Sequence, residues 1–245
     1  MEVLGIDFGG SGIKGAIVNT KTGELVTERH RIETPQPATP EAVGLVIKEL
    51  VEHFNWKGKK VGVGVPAVVK SGVMLTAANI DNSWIGHAVD QHLSEITGCE
   101  VECVNDADAA GLAEIHFGAG KNAKGTVFLL TIGTGIGAVI LINKHLVPNL
   151  ELGHLEFKNK TVERYAADSV RKRKDLSWKE WGKRFNEALD YYDRMFTPNL
   201  FIIGGGVSKK MEKFEKYITI DTPVVPAEME NNAGIIGAAL NLVYK

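Results

Sequence analysis

The sequence predicts an α/β protein built from two similar domains that flank a cleft. Two observations carry this expectation. Short apolar strand-like stretches alternate with amphipathic helical patterns along the chain. A strand–glycine loop–strand device also occurs twice, once around Gly9-Gly10-Ser11-Gly12 and again around Gly133-Thr134-Gly135-Ile136-Gly137, about half a chain apart with no low-complexity linker between them.

The elements follow in order. Residues 3–8 form a short apolar strand and 14–19 a second, ended by the turn Lys21-Thr22-Gly23; 25–32 alternates into a third. A proline-rich loop, 34–40, leads into a helix with Pro40 near its first turn and Val43, Val46, Ile47, Leu50, Val51 and Phe54 at helical spacing. A strand over 60–69 carries Gly62 and Gly64, whose alternation implies that other backbone comes close. A helix over 88–97, a strand over 100–104 and an alanine-rich helix over 107–117 follow. The second half repeats the opening with strands at 126–132 and 138–142. A helix runs over 177–196, with Ser177 and Glu180 at capping-box spacing and Trp178, Trp181, Phe185, Leu189 and Tyr192 along one face. A buried strand, 200–203, ends in Gly204-Gly205-Gly206, and a helix over 231–243 closes the chain. The expected domains are 1–108, with the helix at 233–245 packing back on it, and 109–232.

Bulk properties narrow the function classes. The 245 residues are 44% hydrophobic and 24% charged, with a net charge of −2. That balance is ordinary for a globular protein and argues against a nucleic-acid binder. Cys99 and Cys103 are too few for a disulfide framework and have no nearby metal partners, so reduced thiols and a cytoplasmic location are expected. Asp7 interrupts the first apolar stretch, so no signal peptide is expected. The uncharged run 126–143 contains Gly133, Gly135 and Gly137 and reads as strand–loop–strand, not as a membrane span.

Gly10-Ser11-Gly12-Ile13-Lys14-Gly15 has the GxGxxG spacing of a dinucleotide site. Such a loop must open a helix, whereas residues 14–19 are β-rich, so that reading is set aside. No GxxxxGK[ST] occurs. What remains is a glycine hairpin whose amides converge on phosphate oxygens, with Lys14 adding charge and Asp7 placed to hold Mg²⁺ through water. Thr134 and Gly135 offer a second such loop. Asn105-Asp106 stands at a strand-to-helix junction, where the helix dipole favours an ionised carboxylate suited to take a proton from an attacking hydroxyl. Taken alone, the junction reads first as a helix N-cap. Glu151-Leu152-Gly153-His154, followed by Glu163, supplies the carboxylates and imidazole that sugar hydroxyls pair with.

Together these segments resemble the ROK family of sugar kinases and repressors, within the actin-like ATPase (ribonuclease H-like) superfamily. The resemblance covers nearly the whole chain. It rests on Asp7-Phe8-Gly9-Gly10-Ser11, Asn79 with Trp84, Asn105-Asp106, the 133–137 loop, Glu151-Leu152-Gly153-His154, Gly204-Gly205-Gly206-Val207 and Ala233-Gly234-Ile235-Ile236-Gly237. It implies an actin-like fold, Asp106 as the base for the sugar 6-hydroxyl, and Asn79, Asn105, Glu151, His154 and Glu163 as sugar ligands. Gly9, Gly10, Ser11, Gly12, Lys14, Thr134 and Gly135 would serve the phosphates, Asp7 the Mg²⁺, and Gly205 and Gly206 a nucleoside if ATP binds. A homodimer is expected from the family.

Two departures stand out. Most members follow Glu-x-Gly-His with a cysteine-rich zinc site; residues 155–162 hold no cysteine, so no structural zinc is expected. Ala67 replaces the glycine that many relatives carry after Pro66. The zinc-free subfamily uses inorganic polyphosphate, in some cases with ATP, to phosphorylate glucose and in some cases mannose. The segment 176–186 resembles its hallmark, as does Thr76-Ala77-Ala78-Asn79-Ile80-Asp81. Residues 157–184 carry ten Lys or Arg against four acids. Such a strip suits a polyanion track through Arg171, Lys172, Arg173 and Lys174. Competing expectations are an ATP-specific hexose or N-acetylmannosamine kinase, a sugar-sensing protein, and a filament-forming actin relative. The sensing repressors carry an N-terminal helix-turn-helix; here the first strand begins at Val3.

Overall fold

The computed structural model describes residues 1–78 and 80–244. The first elements are β1 (Glu2–Gly9), β2 (Gly12–Asn19) and β3 (His30–Ile32). Helix α1 (Pro40–His53) begins at Thr39, whose hydroxyl accepts from the Ala42 N–H at 3.3 Å, with Pro40 at the first helical position where no amide is needed. Then come β4 (Lys60–Val65), the small hairpin β5 (Val69–Lys70) and β6 (Val73–Met74), α2 (Val89–Thr97), β7 (Glu100–Asn105) and α3 (Asp106–His116). The second half runs β8 (Thr126–Ile132), β9 (Ile136–Ile142), β10 (His145–Val147), β11 (Glu156–Phe157), β12 (Lys160–Thr161), α4 (Val162–Ala166), α5 (Asp168–Arg173), α6 (Trp178–Phe196), β13 (Leu200–Gly204), β14 (Val224–Pro226) and α7 (Ala233–Asn241). The Ser177–Glu180 capping box that opens α6 is formed in both directions.

These elements make two compact units. The first is Met1–Phe117 with the segment from Asn231; the second is Gly118–Glu230. Their five-stranded sheets share one topology. In the first, β3-β2-β1 is an antiparallel meander, and β4 and β7 continue parallel to β1. In the second, β10-β9-β8 is the meander, and β13 and β14 continue parallel to β8. This duplicated order is the actin-like, ribonuclease H-like fold that the sequence leads one to expect.

Strand alternation sorts the faces of the first sheet. Leu4, Ile6 and Phe8 of β1 and Val61, Val63 and Val65 of β4 join one core with Val43, Ile47 and Leu50 of α1 and Leu93 of α2. The intervening positions face α7. A Cβ on Gly62 would coincide with the carbonyl oxygen of Ala238, and one on Gly5 with that of Ile235. Gly64 differs: its nearest contacts would lie at an ordinary 3.7 Å. Close backbone approach therefore holds at Gly62 and not at Gly64. In the second unit, Phe128, Leu130, Phe201 and Ile203 pack against Trp181, Phe185, Leu189 and Tyr192 of α6, while Trp178 at the helix start is only half-buried.

Two expected strands are shorter. The strand expected over 25–32 pairs as β3 only from His30. Upstream, the Thr27 hydroxyl takes the Ile17 N–H at 3.1 Å, and a single bridge joins Val18 to Leu25. The Thr27 side chain takes one rung of the ladder, while the Val26 amide still donates to the Ile17 carbonyl at 2.7 Å. The strand expected over 60–69 ends at Val65, because Pro66 cannot donate to a ladder. Cys99 and Cys103 are buried free thiols, and burial pushes the Cys103 thiol well up. Among the described residues no helix is long and apolar enough to cross a membrane.

Candidate active site

In the first unit β1, β4 and β7 run parallel, so their carboxyl ends share one sheet edge. Sheets of this kind bind ligands outside that edge. Asp7 is in register with Gly64, and Val65 with Asn105. Two strand spacings set β1 and β7 about 10 Å apart. The phosphate-loop candidates and the base candidate thus emerge side by side.

Asp7, Lys14 and Arg31 form a row across β1, β2 and β3. The Lys14 Nζ lies 3.4 Å from the Asp7 carboxylate. Arg31 donates through Nη2 to the Ser11 carbonyl at 2.6 Å, and Thr34 donates through Oγ1 to the Gly9 carbonyl at 2.5 Å. Two loop carbonyls in 9–12 are thereby engaged by protein donors. Gly12 leaves room for the Arg31 guanidinium, which a Cβ would meet at 2.5–2.7 Å. Arg31 and Thr34 are not among the sequence candidates. Both lie about twenty or more residues from the loop, and no local spacing marks them.

Asn105 caps α3. Its Oδ1 accepts from the Ala107 and Asp108 amides at 3.0 and 3.2 Å, and its Nδ2 donates to the Ala67 carbonyl at 3.1 Å. The cap reading of the junction therefore belongs to Asn105. Asp106 is the first helical residue, and its Oδ1 accepts from the Ala107 amide at 2.8 Å, in the positive field of the helix start. Ala67, buried beside Pro66, supplies the carbonyl that orients Asn105. Trp84 is fully buried and donates to the Ala38 carbonyl at 2.8 Å. Asn79 lies outside the described residues.

The second unit brings the other candidates together. His154 ends a 3₁₀ turn at Leu152–His154. Its Nδ1 lies 3.5 Å from the Glu151 carboxylate and its Nε2 3.5 Å from Glu163. The other Glu163 oxygen faces Gly135, where an added Cβ would come within 2.6 Å of it. The sugar-type cluster thus abuts the second glycine loop. Gly153 lets this turn touch β9, since a Cβ there would strike the Ile136 carbonyl. Tyr192 of α6 donates to the Leu152 carbonyl at 2.9 Å and holds the turn from beneath. Burial pushes the Tyr192 hydroxyl up, so it stays a donor.

The glycine loop is fastened to α5. Ser169 donates through its amide to the Gly133 carbonyl at 3.1 Å and through Oγ to the Thr134 carbonyl at 2.6 Å. Gly204 pairs with Thr131, and Gly205 (φ 76°) lies directly on the Ile132 backbone, which puts Gly205 and Gly206 beside the same loop. The four basic residues of the expected track divide in two. Arg171 and Lys172 share Asp168 at 2.7 and 2.8 Å, whereas Arg173 and Lys174, exposed like Lys172, make no ion pair among the described residues. Burial raises the Asp168 carboxyl, but hydrogen bonds from Lys172 and Arg171 outweigh it, and the net shift is downward.

Residues 3–164 match the family model described as the ROK family. The chain belongs to the ROK family. Among known ROK proteins, it is 50% identical over 238 residues to a polyphosphate glucokinase of Mycobacterium tuberculosis, spanning 97% of this chain and 89% of that one. The polyphosphate glucokinase of Mycobacterium leprae is 47% identical, across 97% of this chain and 73% of that one. Among solved structures, the inorganic polyphosphate/ATP-glucomannokinase of Arthrobacter sp. strain KM matches with a TM-score of 0.91 at 44% identity, over 98% of each chain.

In this ROK chain the cysteine-free stretch between His154 and Glu163 forms the hairpin β11–β12, turning at Lys158-Asn159 with φ values of 52° and 62°. Its tip is fastened to α6. Lys158 is ion-paired to Glu187, and the Tyr165 hydroxyl donates to the same Glu187 oxygen at 2.5 Å. Phe157 packs on Tyr165 and Tyr191. The hydrogen bond from Lys158, followed by that from Tyr165, holds the Glu187 carboxyl below its usual range, and Lys158 is shifted up chiefly by the same bond. A depressed carboxylate stabilises above its unfolded pKa and loses that contribution as pH falls through its folded value. The fastening is thus complete at neutral pH and weakens in acid. Glu187→Gln is expected to raise the glucose KM several-fold at neutral pH with kcat little changed. It should also flatten the acid-side rise in KM, read from glucose titrations at several pH values.

Proposed function

We propose that this chain is a polyphosphate-dependent glucokinase, transferring the terminal phosphoryl group of inorganic polyphosphate to O6 of glucose. The observation that carries this reading is Glu163, which faces His154 with one oxygen and Gly135 with the other, joining a sugar-type cluster to a phosphate-type loop. The 50% identity to a polyphosphate glucokinase and the 44% identity to a polyphosphate/ATP-glucomannokinase support the same acceptor and donor.

In this reading Asp106 takes the proton of the attacking hydroxyl. Glu151, His154 and Glu163 bind the ring, with Asn79 and Asn105, the latter retaining one Nδ2 hydrogen beyond its bond to Ala67. The loop at 9–12 with Lys14, and the loop with Thr134 and Gly135, receive phosphates, and the donor track runs through Arg171, Lys172, Arg173 and Lys174, of which Lys172, Arg173 and Lys174 are exposed. Catalysis then comes from positioning, charge neutralisation and the base. Among the described residues no cluster of three or more His, Cys, Asp or Glu is arranged to hold a metal. Mg²⁺ fits as an ion carried in by the phosphates and completed by water, with Asp7 as the protein carboxylate. It would neutralise phosphate charge. The same reading includes ATP as a second donor, with Gly205 and Gly206 beside its nucleoside, mannose as a second acceptor, and a homodimer.

The test is a donor and acceptor panel: polyphosphate and ATP, each with glucose, mannose and N-acetylmannosamine. Hexose 6-phosphate from polyphosphate and glucose is the expected product. Product formation with ATP alone would overturn the donor assignment.

A further inference from the structure

Arg171, Lys210 and Lys213 come from segments about forty residues apart in sequence and converge on one indole. The Arg171 guanidinium lies 4.1 Å from the Trp178 ring centre, and the Lys210 and Lys213 Nζ atoms each lie 5.9 Å from it. Arg171 is tied to Asp168. Lys210 and Lys213 are exposed, and neither makes an ion pair among the described residues. Lys209 beside them is already paired with Glu230 at 2.9 Å. Like charges gathered around one ring repel each other unless an anion joins them.

This patch continues the donor path. The first turn of α5 is fixed to the glycine loop through Ser169, and the basic end of α5 carries Arg171 onto Trp178. The six residues of α5 span about 9 Å. A phosphate chain whose reacting end sits at the Gly133–Gly135 loop is led along α5 to the two lysines. The ligand has to be recognised by charge alone. One indole contact is taken by Arg171, and Phe214 stacks on the ring at 6.0 Å with a 16° tilt. Nucleic-acid channels offer open aromatic faces to bases; here the indole is already engaged by the protein, which favours a polyanion without bases.

We propose that Lys210 and Lys213, held beside Trp178, form a distal subsite that binds the non-reacting part of a long polyphosphate donor. The proposal rests on the polyphosphate reading of the same unit. It predicts that chain-length preference resides in these two side chains. The experiment compares wild type with the double variant Lys210→Ala/Lys213→Ala, using long-chain polyphosphate and tripolyphosphate at saturating glucose. Loss of two charge contacts should raise the long-chain KM about tenfold. The KM for tripolyphosphate, the KM for glucose and kcat should stay unchanged, and the salt dependence of the long-chain KM should become shallower. The variant Lys210→Arg/Lys213→Arg should restore the long-chain KM. An unchanged long-chain KM in the alanine variant overturns the subsite and leaves the kinase reading intact. A wild-type enzyme that turns over ATP but no polyphosphate overturns both. A single-stranded oligonucleotide competing as well as polyphosphate of equal charge overturns the choice of ligand.

Discussion

Asp106→Asn lowers kcat by about 10²–10⁴-fold, the range that a positioned general base supplies. Glucose affinity stays within about twofold, because the ring is held by other groups and the exchange preserves shape. The local structure makes this a clean experiment. Asn105, not Asp106, caps α3, and its bonds to the Ala107 and Asp108 amides and to the Ala67 carbonyl survive the exchange. Thermal stability should therefore change by no more than about 1 kcal/mol, the contribution of a carboxylate to the helix start. Turnover under single-turnover conditions and glucose titration by calorimetry provide the two readouts. Near-normal turnover would remove Asp106 from the chemistry. Asn105→Ala should behave differently: it loses the cap, at a cost of about 1 kcal/mol, along with the tether to Ala67.

Gly62→Ala is expected to destabilise the first unit by about 3 kcal/mol or more, the upper range for overpacking against atoms that cannot rotate away. The obstacle is the Ala238 backbone carbonyl, not the end of a flexible side chain. For a chain of this size that corresponds to a fall in melting temperature of roughly 6–12 °C. Gly64→Ala, two residues along the same strand, meets nothing closer than 3.7 Å and should be close to neutral. A pair of thermal melts separates the two. Equal destabilisation would mean that strand propensity, rather than the seat of α7, governs this face.

Much of the fold was legible locally. The capping box at Ser177, Pro40 in the first turn and the two glycine hairpins each announce themselves within a few residues. The alternation of β1 and β4 also shows which side carries Gly62, although not that α7 lies against it. The strand expected over 25–32 misled because the competing donor-acceptor pair, Thr27 Oγ with the Ile17 amide, joins residues ten apart and has no periodic signature. The site shows the same divide. Glu151, His154 and Glu163 stand out as residue types that suit sugars. Arg31, Thr34, Ser169 and Glu187, which fasten the loops and the hairpin, reach across the sheet or between helices. Ala67 holds Asn105 through its backbone carbonyl, which a glycine would offer equally, so the departure at this position has no structural explanation.

The seat of α7 has a consequence for how the protein is made. The first unit is discontinuous in the chain: its sheet is complete by Asn105, but the helix that covers the glycine face arrives only at Ala233–Asn241. Domains ordinarily mature in the order in which the ribosome releases them. Here the order is reversed. The second unit can finish while the earlier one waits with its Gly5–Gly62 face uncovered, and only the emergence of α7 closes it. A polypeptide cut short by premature termination before Ala233 would therefore leave the ribosome with this face open, a substrate for chaperones and proteases, whatever the state of its second unit.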